Sequence, residues 1–404
     1  MNNTSINGIN PAKARSATQY IFLICGLGIS SWAPMVPYAK ERLGLNDADL
    51  GLLLLLLGAG AITMMPLTGV MTTRYGSRPV ILYSTLIMAL SLPMLLLMTS
   101  PILMGIMLFI FGAAVGTIDV AMNAHGVQVQ NIFTKPIMSS LHGLFSVGGL
   151  LGSLGLGFFI RFGLEPIVAA ISISLLLLLI VCSQYTNLLS ADSEIKLRKS
   201  NSSEVIDGQG GFSWMKGSVL FLGAMCFIVF LSEGAMLDWS AVYLREIRYV
   251  EPEFAGSGYA AFSIAMAIMR LVGDRIVARL DGKRVVVGGS LLAAFGLSLV
   301  VFVPWISGTL FGFVLLGLGA ANIVPVFFTE GGRINGLSPT VTIPAITTMG
   351  YAGQLIGPAI LGFIAYNFSL PIAFACIGLM LLLVALSYSV RRNERSKLLK
   401  NYSE

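Results

Sequence analysis

The stretch Phe111–Gly126, FGAAVGTIDVAMNAHG, decides how the chain is read. It lies inside a long apolar run, yet it carries Asp119, Asn123 and His125. Gly112, Gly116, Asp119 and Asn123 follow steps of four, three and four, which puts them on one face of a helix. The two glycines let a second backbone come close, and an acid and an amide sit beside that contact. A carboxylate at the bilayer centre costs about 2.5–3.5 kcal/mol on insertion scales. Asp119 is therefore expected to face the protein interior or a water-filled cavity. A working carboxyl group and a packing acid bonded to Asn123 both fit. An intramembrane acid is functional by default, which favours the first.

Outward from this stretch the same apolar background continues over all 404 residues. The chain is 56% hydrophobic and 11% charged, with a mean hydropathy of +0.85. A soluble domain carries about 25% charged residues. Apolar runs predict twelve spans, at 17–39, 49–72, 79–98, 102–128, 138–161, 165–186, 216–244, 254–278, 284–304, 307–329, 340–366 and 370–390. This is an all-α membrane protein. Residues 1–16 read as a polar tail, because the apolar segment after them is long enough to span and is not a cleavable signal. The net charge of +6 serves orientation rather than nucleic acid. Only Lys40, Arg42, Arg161, Arg245 and Arg248 fall on one side of the membrane, and Arg270 lies inside a span. The other basic residues share the opposite side, which is therefore cytoplasmic and holds both termini. Cys25, Cys182, Cys226 and Cys376 lie in apolar segments without CxxC spacing, so neither a disulfide framework nor a zinc site is expected.

The polar stretch 187–215 reads as a flexible linker between 17–186 and 216–390, with a second tail at 391–404. Its central position points to a repeat. Gly51 pairs with Gly256, and Gly148, Gly152, Gly157 and Phe158 pair with Gly353, Gly357, Gly362 and Phe363, each 205 residues on. Trp32 pairs with Trp239 at 207. An offset spanning six helices gives both halves one orientation, hence two pseudo-symmetric six-helix bundles.

Within that frame, Gly69, Arg74, Gly76 and Arg78 resemble the loop signature of the major facilitator superfamily (MFS) between its second and third helices. Thr73 stands where the family has an acid that takes part in a cytoplasmic latch. The second-half version, Gly273-Asp274-Arg275, keeps its acid. Asp119 with Asn123 is similar to the fucose–proton symporter branch. The runs from Asp119 to His125, Leu141 to Gly149 and Ser232 to Tyr243 are more similar to a bacterial branch named for a rhizopine-associated membrane protein. The resemblance implies a secondary transporter of a small hydrophilic, sugar- or polyol-like solute, working by alternating access in a bacterial inner membrane as a monomer.

Three acids lie well inside spans: Asp119, Glu233 and Asp238. Asp119 leads as proton carrier and Glu233 follows, while Asp238 lies nearer the outer side. His142 heads a polar stripe with Ser146 and Ser153 and is a candidate proton relay. His125 is expected to be solvated near the cytoplasmic end. Arg270 has two candidate partners, Asp274 at i+4 and Glu233, and an anionic group on a substrate is a third. Trp32, Asn123, Asp238, Trp239, Tyr243, Asn322, Tyr351 and Gln354 are candidate substrate contacts, offering aromatic walls and hydrogen-bonding groups. No histidine has a metal-ligand partner at i+4, and no GxSxG, HExxH or Ser/His/Asp set appears, so neither a metal, a cofactor nor an enzyme is expected. Efflux of amphipathic compounds is the alternative. Ser153 occupies the place where the efflux-type signature has proline, which weighs against it. A receptor that keeps the fold without transport is the remaining class.

Overall fold

The long apolar runs form helices because a backbone in lipid must satisfy its own hydrogen bonds. The computed structural model describes residues 10–133, 137–195, 216–331 and 339–401, with 333, 334 and 337 between the last two. In the first half the helices are α1 (Pro11–Ser30), α2 (Met35–Leu43), α3 (Asp47–Tyr75), α4 (Ser77–Leu97), α5 (Pro101–Phe133), α6 (Met138–Arg161) and α7 (Pro166–Gln184). In the second they are α8 (Gly217–Glu246), α9 (Ser257–Leu280), α10 (Gly282–Phe302), α11 (Ile306–Ala320), α12 (Ile323–Gly331), α13 (Pro339–Asn367) and α14 (Leu370–Asn401). They make twelve candidate spans, because α1 with α2 and α11 with α12 each count as one. The first span begins earlier than its apolar run. Asn10 caps it by accepting from the Lys13 N–H at 3.2 Å, and Pro11 occupies the first turn.

The described residues divide into two units, one within 1–45, 52–208 and 251–256, the other within 46–51, 209–250 and 257–404. In the first unit, α5 lies directly on α3. A Cβ at Gly112 would sit 1.7 Å from the Leu57 carbonyl oxygen, and one at Gly116 would sit 2.6 Å from the Ala61 Cα. The close approach expected from those glycines is present. Gly148 does the same between α6 and α1, where a Cβ would meet the Leu23 carbonyl oxygen at 2.0 Å. In the second unit its repeat mate Gly353 presses α13 onto α8, with the Phe227 carbonyl oxygen 2.1 Å from such a Cβ.

Each unit also has an arginine cap. A helix C-terminus leaves carbonyls without partners, and a guanidinium fork can gather several of them. Arg42, at the end of α2, donates to the carbonyls of Leu95, Leu96 and Met98 at 2.8, 2.5 and 3.1 Å. Arg248, just past α8, donates to the carbonyls of Val300 and Val303, both at 2.7 Å, and to Thr309 Oγ1 at 2.8 Å. The two arginines are 206 residues apart and close the ends of α4 and α10.

At the opposite end of the first unit, two expectations are corrected. His125 is buried rather than solvated. Its Nε2 accepts from the Leu189 N–H at 3.0 Å, and its Nδ1 lies 3.1 Å from Thr18 Oγ1. The linker also starts as packed chain: Leu188, Leu189 and Glu194 are buried. Glu194 accepts from the Ser77 N–H at 3.0 Å, capping α4.

Candidate functional site

Asn123 donates to the Asp119 carbonyl at 2.9 Å and to its carboxylate at 3.3 Å, one turn up the same helix. Both side chains are only partly buried. His142 stands on α6, edge-on to Phe22 with ring centroids 5.2 Å apart. Ser146 Oγ donates to the His142 carbonyl at 3.2 Å. Trp32 sits in the break between α1 and α2, fully buried, with its indole N–H unpartnered.

In the second unit the candidates converge. Arg270 on α9 reaches Glu233 on α8 at 3.4 Å, across helices, which is one of the partners open to it on the sequence. The side chains are 29% and 16% exposed, which leaves the pair reachable. Asp274 and Arg275 lie outside the residues whose side chains are described. Asn322 occupies the break between α11 and α12, where it donates to the Met269 carbonyl at 3.2 Å. Gly273 makes room for that amide: a Cβ there would lie 2.2 Å from Asn322 Oδ1. Glycine in the second-half loop signature thus seats Asn322 beside the turn that carries Arg270. Gln354 on α13 packs over Gly234, the neighbour of Glu233. Tyr351, one turn earlier on α13, stacks on Phe230 with centroids 5.4 Å apart and planes at 26°. The sequence reading does not single out Phe230. Its position three residues before Glu233 is the signal that was available.

Other candidates have different surroundings. Tyr243 is fully buried, donates to the Val300 carbonyl at 2.7 Å and packs its ring on Phe313 and Phe374. That makes it a structural residue supporting the Arg248 cap, a correction to its expected role as a substrate contact. Trp239 is fully buried with its indole N–H unpartnered, and Asp238 is 7% exposed. Neither shares the turn of Glu233. In the loop signature, Gly69 and Arg74 are exposed, Gly76 has φ +82°, and Arg78 lies 4.0 Å from the centre of the Tyr185 ring. A Cβ on Gly76 would meet Ala191 at 2.9 Å, so this glycine serves both turn and packing.

Twelve apolar spans, a glycine-packed repeat and an ion pair reachable inside one bundle define a helical membrane protein of the transporter class. The chain belongs to the Major Facilitator Superfamily, whose model matches residues 20–331. It is therefore a secondary transporter. It is 46% identical over 371 residues to an uncharacterised MFS-type transporter of Yersinia pestis, covering 92% of this chain and 94% of that one. It is 32% identical over 360 residues to the membrane protein MosC of Rhizobium meliloti, covering 88% and 85%. MosC bears out the rhizopine-associated branch. Among solved structures, the nucleoside transporter NupG matches with a TM-score of 0.71 at 15% identity, covering 94% of this chain and 98% of that one. That likeness concerns the fold.

Proposed function

We propose that this chain is a proton-coupled transporter of a small hydrophilic, sugar- or polyol-like solute. In this reading it lies in the inner membrane of a bacterium, with both termini in the cytoplasm, and works as a monomer. The observation that carries the proposal is the Glu233–Arg270 pair, 3.4 Å apart and partly exposed, joining α8 to α9. An ion pair inside a membrane domain is costly unless partnered, so its members mark a pathway for ions or solutes. Protonating Glu233 cancels its charge and loosens its hold on Arg270. The guanidinium is then available to the oxygens of a solute, and Gln354 packs over Gly234 beside Glu233. Asp119, the leading carrier on the sequence reading, is the other proton-binding group, and Asn123 donates to its carboxylate. The alternating-access cycle of the family supplies the rest.

The test is uptake into proteoliposomes under an imposed pH gradient, with wild type, Glu233→Gln and Asp119→Asn. Wild type accumulates solute faster as the outer medium is made more acidic. The variants lose that dependence. Wild-type rates and pH response in both variants would overturn the coupling assignment.

A further inference from the structure

The polar turn of the second unit has an aromatic neighbour. Phe230 precedes Glu233 by three residues on α8, and Tyr351 precedes Gln354 by three on α13. At that spacing each ring shares its helix face with the polar residue and lies about 5 Å further along the axis. The rings stack at 5.4 Å and 26°, and both residues are only partly buried. Their position is fixed from behind. A Cβ at Gly350 would lie 2.4 Å from Phe230 Cδ2, and the Gly353 contact presses the α13 backbone onto Phe227. Phe230 therefore cannot swing toward α13. A face that also bears a glutamate and its arginine is not turned to hydrocarbon, where such a pair is costly.

We infer that the stacked rings of Phe230 and Tyr351 form a platform for the flat face of a ring-shaped solute and make the site selective for cyclic over open-chain polar compounds. The inference rests on the transport site proposed above. A pyranose, a cyclitol or a nucleoside has a polar rim and at least one face poor in hydrogen-bonding groups. The rim meets Glu233, Arg270 and Gln354, while the face rests on carbon of the rings. An open-chain polyol has no such face, and it must also freeze several torsions to bind. An aromatic contact contributes about 0.5–1.5 kcal/mol beyond simple burial, roughly two- to tenfold in affinity.

The full-length purified protein is titrated calorimetrically with myo-inositol, D-galactose, uridine and, as the open-chain probe, D-mannitol. At least one cyclic compound is expected to bind about tenfold more tightly than mannitol. Phe230→Leu should remove most of that margin and leave mannitol unchanged, while Phe230→Tyr restores it. If Phe230→Leu does not elute as folded protein, Tyr351→Leu replaces it. Equal binding of mannitol and the rings, failure of every cyclic probe to bind, or an equal loss for all ligands in the leucine variant overturns the platform. Glu233→Gln and Arg270→Gln separate the two ideas. If neither changes any affinity, the transport site itself is misplaced, whatever the ring preference.

Discussion

The two bundles agree in their frame and differ in their chemistry. Gly148 and Gly353 do the same packing work 205 residues apart, and Arg42 and Arg248 each gather terminal carbonyls, Leu95 and Met98 in one half matching Val300 and Val303 in the other. At the ends away from the arginine caps the repeat also holds in position, though the residue types have changed. His125 binds the chain that follows α7, while Glu330, 205 residues later, accepts from Tyr388 on α14 at 2.5 Å. The ionisable centres differ in their residues and in the contacts described for them. Asp119 and Asn123 join one turn of one helix, whereas Glu233 and Arg270 join two helices. In the coupling proposed above, a proton on Asp119 weakens its contact with Asn123 on α5. In the same proposal, a proton on Glu233 changes how α8 is held to α9. The frame tolerates no revision because its contacts are backbone to backbone, and the side chains facing the polar turn are free of that constraint.

The largest effect expected is on the frame. Gly148→Val and Gly353→Val each drive a side chain into a carbonyl oxygen, at a cost of about 3 kcal/mol or more. Both should fail to give a monodisperse peak by size-exclusion chromatography. A tolerated substitution in one half alone would break the equivalence. Next come the ionisable centres. Glu233→Gln is expected to lower proton-driven uptake at least tenfold, about 1.4 kcal/mol, and to flatten its pH response. Asp119→Asn should lower it by a smaller factor, and equal losses would erase the contrast drawn above. The arginine caps follow. Lysine presents a point charge and cannot serve several carbonyls as a fork does, so Arg42→Lys and Arg248→Lys should each cost about 1–2 kcal/mol. Thermal unfolding in detergent should show comparable drops, and the double variant should show their sum, because the two sites share no partner. The smallest effect is at Gly69, where an added Cβ meets nothing within 4 Å. Gly69→Ala should leave stability unchanged within about 0.5 kcal/mol.

The twelve spans were legible because hydropathy over about 20 residues reflects the solvent rather than the fold. Pro34 and Pro325 mark the breaks at 31–34 and 321–322 in the sequence, but the seat of Asn322 was not legible, since it is anchored by a carbonyl 53 residues earlier in the chain. The arginine caps stayed hidden for the same reason, as Arg42 and its acceptors are more than 50 residues apart. Arg270 had two acids as candidates in sequence, and its contact with Glu233 depends on the packing of α8 on α9. His125 was misjudged because a polar residue near a span end usually meets water, and nothing local announces that Leu189 returns to cover it. Tyr243 was misjudged because its partners belong to α10, α11 and α14.

The seat of Leu189 makes the imidazole of His125 a reporter. Its Nε2 is occupied by an incoming amide, so the ring proton resides on Nδ1 and points to Thr18 Oγ1, whose own hydrogen goes to the Ala14 carbonyl at 2.7 Å. Nitrogen-15 labelling of this one ring would therefore read out, as the signal of a single tautomer, whether the strand leaving the first bundle is moored or adrift.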